Sequence, residues 1–240
     1  MQLAREPPAD VETGLFYWSK AEDTRYPWAR AETRAALREW ILEAENADKL
    51  TEAGEKVYPL LLSGETRCGK TSTVCSLAME YFGIPSYRVN LASIIAPHMG
   101  ETTRNVRAAL SEAMSGPPAL WIMDEVDGLF PSRTSDTQAA AKEMNAALSV
   151  ALTTIESLPQ HLMLVGTTNE PEIVDRAMLA RFRHVRFPRW RELAEAERRA
   201  FARSHQFEEG WTGESYADVV QAARAVRVRK IIDAAKAGTP

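Results

Sequence analysis

Residues 64–71 read Gly64-Glu65-Thr66-Arg67-Cys68-Gly69-Lys70-Thr71: a glycine, four residues, then Gly-Lys-Thr. The spacing is that of a phosphate-binding loop, and it dictates the fold expected around it. An apolar run, Tyr58-Pro59-Leu60-Leu61-Leu62, leads in as a short buried strand, and Ser72 to Phe82 leads out as a helix. Successive backbone N–H groups in such a loop point inward and form an anion cradle. The positive end of the following helix adds to it. Residues Gly64, Glu65, Thr66, Arg67, Cys68, Gly69, Lys70, Thr71 and Ser72 are the expected nucleotide contacts. Lys70 is placed to reach the terminal phosphates, and the Thr71 hydroxyl to help hold a magnesium ion. The competing reading is a glycine turn that matches by coincidence, and a second motif downstream argues against it.

That motif is Ala119-Leu120-Trp121-Ile122-Met123-Asp124-Glu125. Apolar residues run straight into two carboxylates, as in a buried parallel strand with its acids exposed at the carboxyl end. Ligands of open α/β sheets bind at that end. Asp124 is expected to accept magnesium, directly or through a water. Glu125 then sits near the terminal phosphate and polarises the attacking water as a general base.

Composition narrows the class. With 240 residues and 45% hydrophobic content, the chain can bury one sizeable core, or one core and a small appended subdomain. Charged residues make up 26% and the net charge is -4, so there is no global basic bias of the kind that coats nucleic acid. No apolar run reaches the roughly 18 residues that a membrane span needs. Met1 to Asp10 lacks a basic region followed by an apolar stretch, so no secretory signal is expected. Cys68 and Cys75 suit neither a disulfide nor a zinc site, and the expected compartment is a reducing cytoplasm. The histidines, His98, His161, His184 and His205, have no ligand spacing.

Along the chain, residues 1–28 read as an irregular arm rich in aromatics: Phe16, Tyr17, Trp18, Tyr26 and Trp28. The arm either packs on the body of the protein or docks a neighbour. Residues 29–48 read as one helix with Leu37, Trp40, Ile41 and Ala44 on one face. Ser86 to Leu91 reads as a second strand, and Thr102 to Met114 as a helix stopped by Gly116-Pro117-Pro118. A long helix from about Thr137 to Leu158 shows apolar positions at Met144, Leu148, Ala151, Ile155 and Leu158. Leu162 to Thr167 and Val185 to Phe187 are further strands. Strands alternating with helices predict an α/β fold: a doubly wound, parallel, five-stranded sheet. Beyond Pro188 the pattern is helical only, with Trp190 to Ser204 as one helix and Ser215 to about Ala235 as another. Ser215 is the expected N-cap. The expected division is an arm (1–28), a P-loop ATPase core (29–188) and a small C-terminal helical lid (189–240).

Over residues 58–188 the chain resembles an AAA+ ATPase. The stretch Ser93 to Thr102, running into Asn105-Val106-Arg107, is similar to the family's segment after the second strand. Asp124-Glu125-Val126-Asp127-Gly128-Leu129 looks like Walker B and its continuation. Val165-Gly166-Thr167-Thr168-Asn169 is similar to the sensor 1 strand, and Val174 to Phe182 to the second region of homology. Four motifs in the family's order make the resemblance specific.

The resemblance implies that the Asn169 amide orients the attacking water. It also implies that Arg181 is an arginine finger completing a neighbour's site, with Arg176 and Arg183 as competing candidates. A guanidinium suits that role, being permanently charged with donors in a rigid fork. ATP and Mg2+ are the implied substrate and cofactor, and a homo-oligomer, a hexamer, the implied assembly. His98, Met99 and Gly100 stand where protein-threading members carry a pore loop, though without the usual aromatic. Arg67 replaces a frequent glycine, residues 189–240 are short for a lid, and no sensor 2 arginine is found near Gly213-Glu214-Ser215-Tyr216. The implied function is a motor that remodels or unfolds a protein partner. Two alternatives remain. A nucleic-acid-associated module, such as a helicase loader or transposition regulator, would use Arg224, Arg227, Arg229 and Lys230. A nucleotide-gated scaffold would hydrolyse negligibly.

Overall fold

The computed structural model describes residues 17–21, 28–89, 91–98, 100–132, 139–159, 162–207 and 213–237. Strand β1 (Trp18–Lys20) precedes helices α1 (Ala31–Glu45) and α2 (Ala47–Glu52). Strand β2 (Leu60–Ser63) leads through the phosphate loop into α3 (Lys70–Phe82). Then come β3 (Ser86–Val89), α4 (Leu91–Ile94), α5 (Glu101–Ser115), β4 (Leu120–Met123), α6 (Val126–Leu129) and α7 (Ala139–Glu156). The chain continues with β5 (Met163–Thr168), α8 (Arg176–Leu179), β6 (Arg183–Arg186), α9 (Glu195–Ser204) and α10 (Tyr216–Ala237).

The sheet order is β1-β3-β4-β5-β2-β6. Five strands are parallel, as their apolar runs require. The sixth is a correction to the five-stranded sheet expected: β1 pairs antiparallel with β3, Trp18 opposite Val89, where an irregular arm was expected. Three residues are too few to show a period of two. Side chains hold this strand in place. The Trp18 indole donates to the Ala109 carbonyl at 2.8 Å and meets Trp121 edge-on at 5.0 Å. The neighbouring Tyr17 hydroxyl donates to Asn105 Oδ1 at 3.0 Å. Phe16 and Tyr26 lie outside the described residues.

Alternation along the strands divides the core in two. Leu61, Trp121, Met123 and Leu164 face α5 and α7 and join Val106, Leu110, Leu148 and Ile155. Leu60, Leu62, Leu120, Ile122 and Val165 face the other way, onto Leu37, Trp40 and Ile41 of α1 and Val74 and Leu77 of α3. Trp190, Leu193, Phe201, Tyr216 and Val219 belong to this second cluster, so the C-terminal helices share a core with the sheet. The Tyr216 hydroxyl donates to the Pro188 carbonyl at 3.0 Å, and Arg30 pairs with Glu197 at 2.8 Å. Ser215 caps α10, its hydroxyl accepting the Asp218 amide at 3.2 Å.

Two expected helices are broken. Residues 29–48 divide at Asn46, whose side-chain amide donates to the Leu42 carbonyl at 2.9 Å and leaves the backbone outside helical geometry. The stretch expected as one helix from Trp190 is a single 3-10 turn, Trp190–Glu192, before α9. Leu193 and Ala194 are extended between them, and the Glu197 carboxylate accepts the Ala194 amide at 2.7 Å. The break lets both Trp190 and Leu193 enter the core. Gly116, which ends α5, is required by close approach: a Cβ there would lie 2.5 Å from the Trp121 ring.

Candidate active site

Register brings the site together. Ser63 of β2 is level with Thr168 of β5, and Met123 of β4 is level with both Gly166 of β5 and Val89 of β3. The carboxyl ends of four parallel strands therefore open onto one cleft of about 700 Å³, lined by Thr66, Arg67, Lys70, Thr71, Arg88, Asp124, Glu125, Thr167 and Asn169 among others.

The loop's shape follows from its glycines and one exception. Gly69 is left-handed at φ 94°. At Gly64 a Cβ would come within 2.8 Å of Phe187 Cβ. Arg67 adopts φ 63° although it is not glycine, a conformation that costs a non-glycine residue roughly 1 kcal/mol or more. Its side chain is exposed and lines the cleft. Cys68, inside the loop, is buried, and burial pushes its thiol up to about 11, so it remains protonated at neutral pH. Cys68 and Cys75 are both buried thiols, neither in a disulfide.

Lys70 is buried to 9% exposure, and its three ammonium donors are all used. They reach the Gly64 carbonyl at 2.9 Å, the Glu65 carbonyl at 3.1 Å and Asn169 Oδ1 at 2.8 Å. The loop lysine and the residue after β5 are thus in direct contact. The Thr71 hydroxyl donates to Asp124 Oδ1 at 3.0 Å. Thr167 donates to the same oxygen at 2.9 Å and accepts the Glu125 amide at 3.2 Å. Arg88 Nε lies 2.9 Å from Asp124 Oδ2. Glu125 is exposed at the cleft in a left-handed conformation, φ 57°, a strain typical of functional positions. Thr71 and Asp124 offer hard oxygen donors, and no group of three or more His, Cys, Asp or Glu placed to hold a metal ion is found among the described residues. That donor set fits magnesium, which takes one or two carboxylates and fills the rest of its shell with phosphate and water.

Other expected residues lie away from this cleft. Arg181 donates to the Ala177 carbonyl at 2.7 Å and pairs with Glu156 at the end of α7. Arg183 pairs with Glu39 and Glu43 of α1. Arg176 is exposed at the start of α8. Gly100, at φ 83°, opens α5, and its amide donates to Glu143 of α7 at 2.7 Å. Burial alone would raise the Glu143 carboxyl, but bonds from the Gly100 and Thr103 amides and the Thr103 hydroxyl outweigh it and hold it below the usual range. His98 is exposed beside this turn, and Met99 lies outside the described residues.

Sequence reasoning left out Thr167 and Arg88. Thr167 sits two residues before Asn169 on a strand already singled out, so its alternation with Asn169 was a usable signal. Arg88 carried none, because only the pairing of β3 with β4 brings it to Asp124.

A doubly wound parallel sheet with a phosphate loop at the end of an inner strand defines a P-loop nucleotide-binding fold. The model of the family described as "ATPase family associated with various cellular activities (AAA)" matches residues 60–189, and the chain belongs to this family. It is 32% identical over 146 residues to an uncharacterized AAA family ATPase, y4kL, of Sinorhizobium fredii, covering 60% of this chain and 43% of that protein. It is 32% identical over 171 residues to the ATPase family gene 2 protein of Saccharomyces cerevisiae, covering 70% of this chain and 21% of that protein. The chain thus spans less than half the length of these curated relatives. A chain in the solved structure of the E. coli MS115-1 HORMA:CdnC:Trip13 complex superposes with a TM-score of 0.60 at 19% identity, covering 80% of this chain and 72% of that one. At that identity the likeness concerns the fold.

Proposed function

We propose that this protein binds ATP with magnesium and hydrolyses it to ADP and phosphate as a subunit of a homo-oligomer, a hexamer in the simplest reading. The observation that carries the proposal is the convergence of Lys70, Thr71, Asp124, Glu125 and Asn169 on one cleft. The amides of residues 64–72 and the Lys70 ammonium hold the phosphates. Thr71 and Asp124 hold magnesium, which neutralises phosphate charge when bound. Glu125, whose carboxylate is exposed to the cleft, takes a proton from water as the water oxygen attacks the terminal phosphorus and the bond to the bridging oxygen breaks. Asn169, steadied by Lys70, orients that water. Arg181 does not line its own cleft and pairs with Glu156, which suits a finger acting on a neighbour's ATP. Such positioning and electrostatics account for most of the catalysis in this chemistry.

The output we infer is remodelling of a protein partner, with His98, Met99 and Gly100 as the contacting loop. The Glu143 bonds to the Gly100 and Thr103 amides give that loop a fixed base. The exposed part of α10 mixes Arg224, Arg229 and Lys230 with exposed Val228, Ile231 and Ile232. That mixture suits a protein surface better than duplex DNA, and this favours remodelling over a nucleic-acid module. No helix among the described residues is long and apolar enough to cross a membrane. We place the protein in the cytoplasm, in keeping with two buried cysteines that form no disulfide.

The test is magnesium-dependent ATP hydrolysis per subunit as protein concentration rises. The expected result is a specific activity that climbs and then saturates as oligomers form. No turnover at any concentration would overturn the enzyme reading and leave the scaffold.

A further inference from the structure

Arg88 ends up in the nucleotide cleft through strand pairing alone, and its contacts define a role. Its Nε lies 2.9 Å from Asp124 Oδ2, while Asp124 Oδ1 takes the Thr71 and Thr167 hydroxyls. Asp124 is therefore surrounded by one cation and two hydroxyl donors of its own chain. The contact with Arg88 is charge proximity rather than a hydrogen bond: the buried Nε–H finds no acceptor of suitable geometry among the described residues. A buried donor without an acceptor is costly. The pair thus keeps Arg88 near Asp124 without fastening it. The Arg88 side chain is 41% exposed and lines the cleft with Arg67, Lys70 and Thr71.

A guanidinium is permanently charged, and this one stands against the carboxylate that a divalent cation would use. Two cations cannot share that carboxylate at low cost. Release of Arg88 needs another anion within reach, and nucleotide phosphates are such anions. The geometry points to an exchange: Arg88 neutralises Asp124 in the absence of nucleotide, and passes to phosphate oxygens when ATP and magnesium enter together. Arg88 is on this account a positioning residue that makes magnesium binding contingent on nucleotide. The inference rests on reading the cleft as an ATP site.

Removing Arg88 acts on the two ligands in opposite directions. ATP without magnesium then meets an unneutralised Asp124 and binds more weakly. Magnesium meets no competing cation and adds more to ATP affinity. The experiment titrates a fluorescent ATP analogue into the full chain, with magnesium and with chelator, for the native protein, Arg88→Ala, Arg88→Gln and Arg88→Lys. The ratio of affinities with and without magnesium is expected to rise roughly two- to fivefold in the Ala and Gln variants, in the range of a partly exposed ion pair. Arg88→Lys should return it toward the native value. Thermal melting of each variant without ligand shows whether it is folded, and Arg88→Gln keeps the side-chain length if Ala is not tolerated. An unchanged ratio, even with both affinities weakened together, overturns the proposal, since a merely structural role would give that result. If the native protein binds no ATP in either condition, the ATP-site reading itself fails and takes this inference with it.

Discussion

Lys70 is nearly enclosed, yet its ammonium is held by two loop carbonyls and by Asn169. Those bonds hold the charge against the loop proposed to bind phosphate. Lys70→Ala removes the cation and leaves the Gly64 and Glu65 carbonyls without it, so ATP affinity is expected to fall by about a hundredfold or more. A fluorescent-nucleotide titration checks this, and near-native affinity would mean that the loop does not bind phosphate. Glu125→Gln keeps the shape of the side chain and removes its basicity. Binding should persist while turnover drops by about a hundred- to ten-thousandfold, measured in single-turnover assays. Undiminished turnover would assign the base elsewhere. The placement of Gly64 to Thr71, Asp124 and Glu125 at one cleft was legible in the sequence because contiguous residues build both the loop and the strand end. Arg67's left-handed backbone was not, because a side chain's identity does not reveal its dihedral angles.

At the scale of elements, the apolar runs at 60–62 and 120–123 announced buried strands, since a parallel strand covered on both faces has no polar side. Helix α7 was equally plain from its apolar steps of three and four. Strand β1 was not, and Trp18 is its one buried side chain. Trp18 is 1% exposed, meets Trp121 edge-on and donates to the Ala109 carbonyl. Trp18→Ala is expected to destabilise the protein by about 3–5 kcal/mol, the usual result of emptying a large buried aromatic site. Urea unfolding measures it. A loss under about 1 kcal/mol would mean that β1 is peripheral to the fold. The break between Trp190–Glu192 and α9 was hidden for a related reason: Trp190 and Leu193 are drawn into the core on either side of the break, and helical periodicity in sequence says nothing of where a core lies.

At the scale of the whole molecule, the proposed trans arrangement makes a sharp demand. Arg181→Ala subunits keep an intact cleft and lack the finger, whereas Glu125→Gln subunits lack the base and keep the finger. Alone, Arg181→Ala should be at least about a thousandfold slower than the native protein, and Glu125→Gln about a hundred- to ten-thousandfold slower. Mixed, they should regain a substantial part of the native rate, because intact clefts then meet intact fingers. Mixtures no faster than the sum of the two would place Arg181 outside any shared site. The sequence by itself determined the loop, the acidic strand end, the alternation of strands and helices and the family, because each is written in neighbouring residues and their spacing. Only the tertiary structure decided the strand order, the antiparallel edge strand, the joint core of sheet and C-terminal helices, and the meetings of Lys70 with Asn169 and of Arg88 with Asp124. Those contacts join residues far apart along the chain. They exist because strand register sets four carboxyl ends at one level, and register depends on packing between elements rather than on the composition of any one of them.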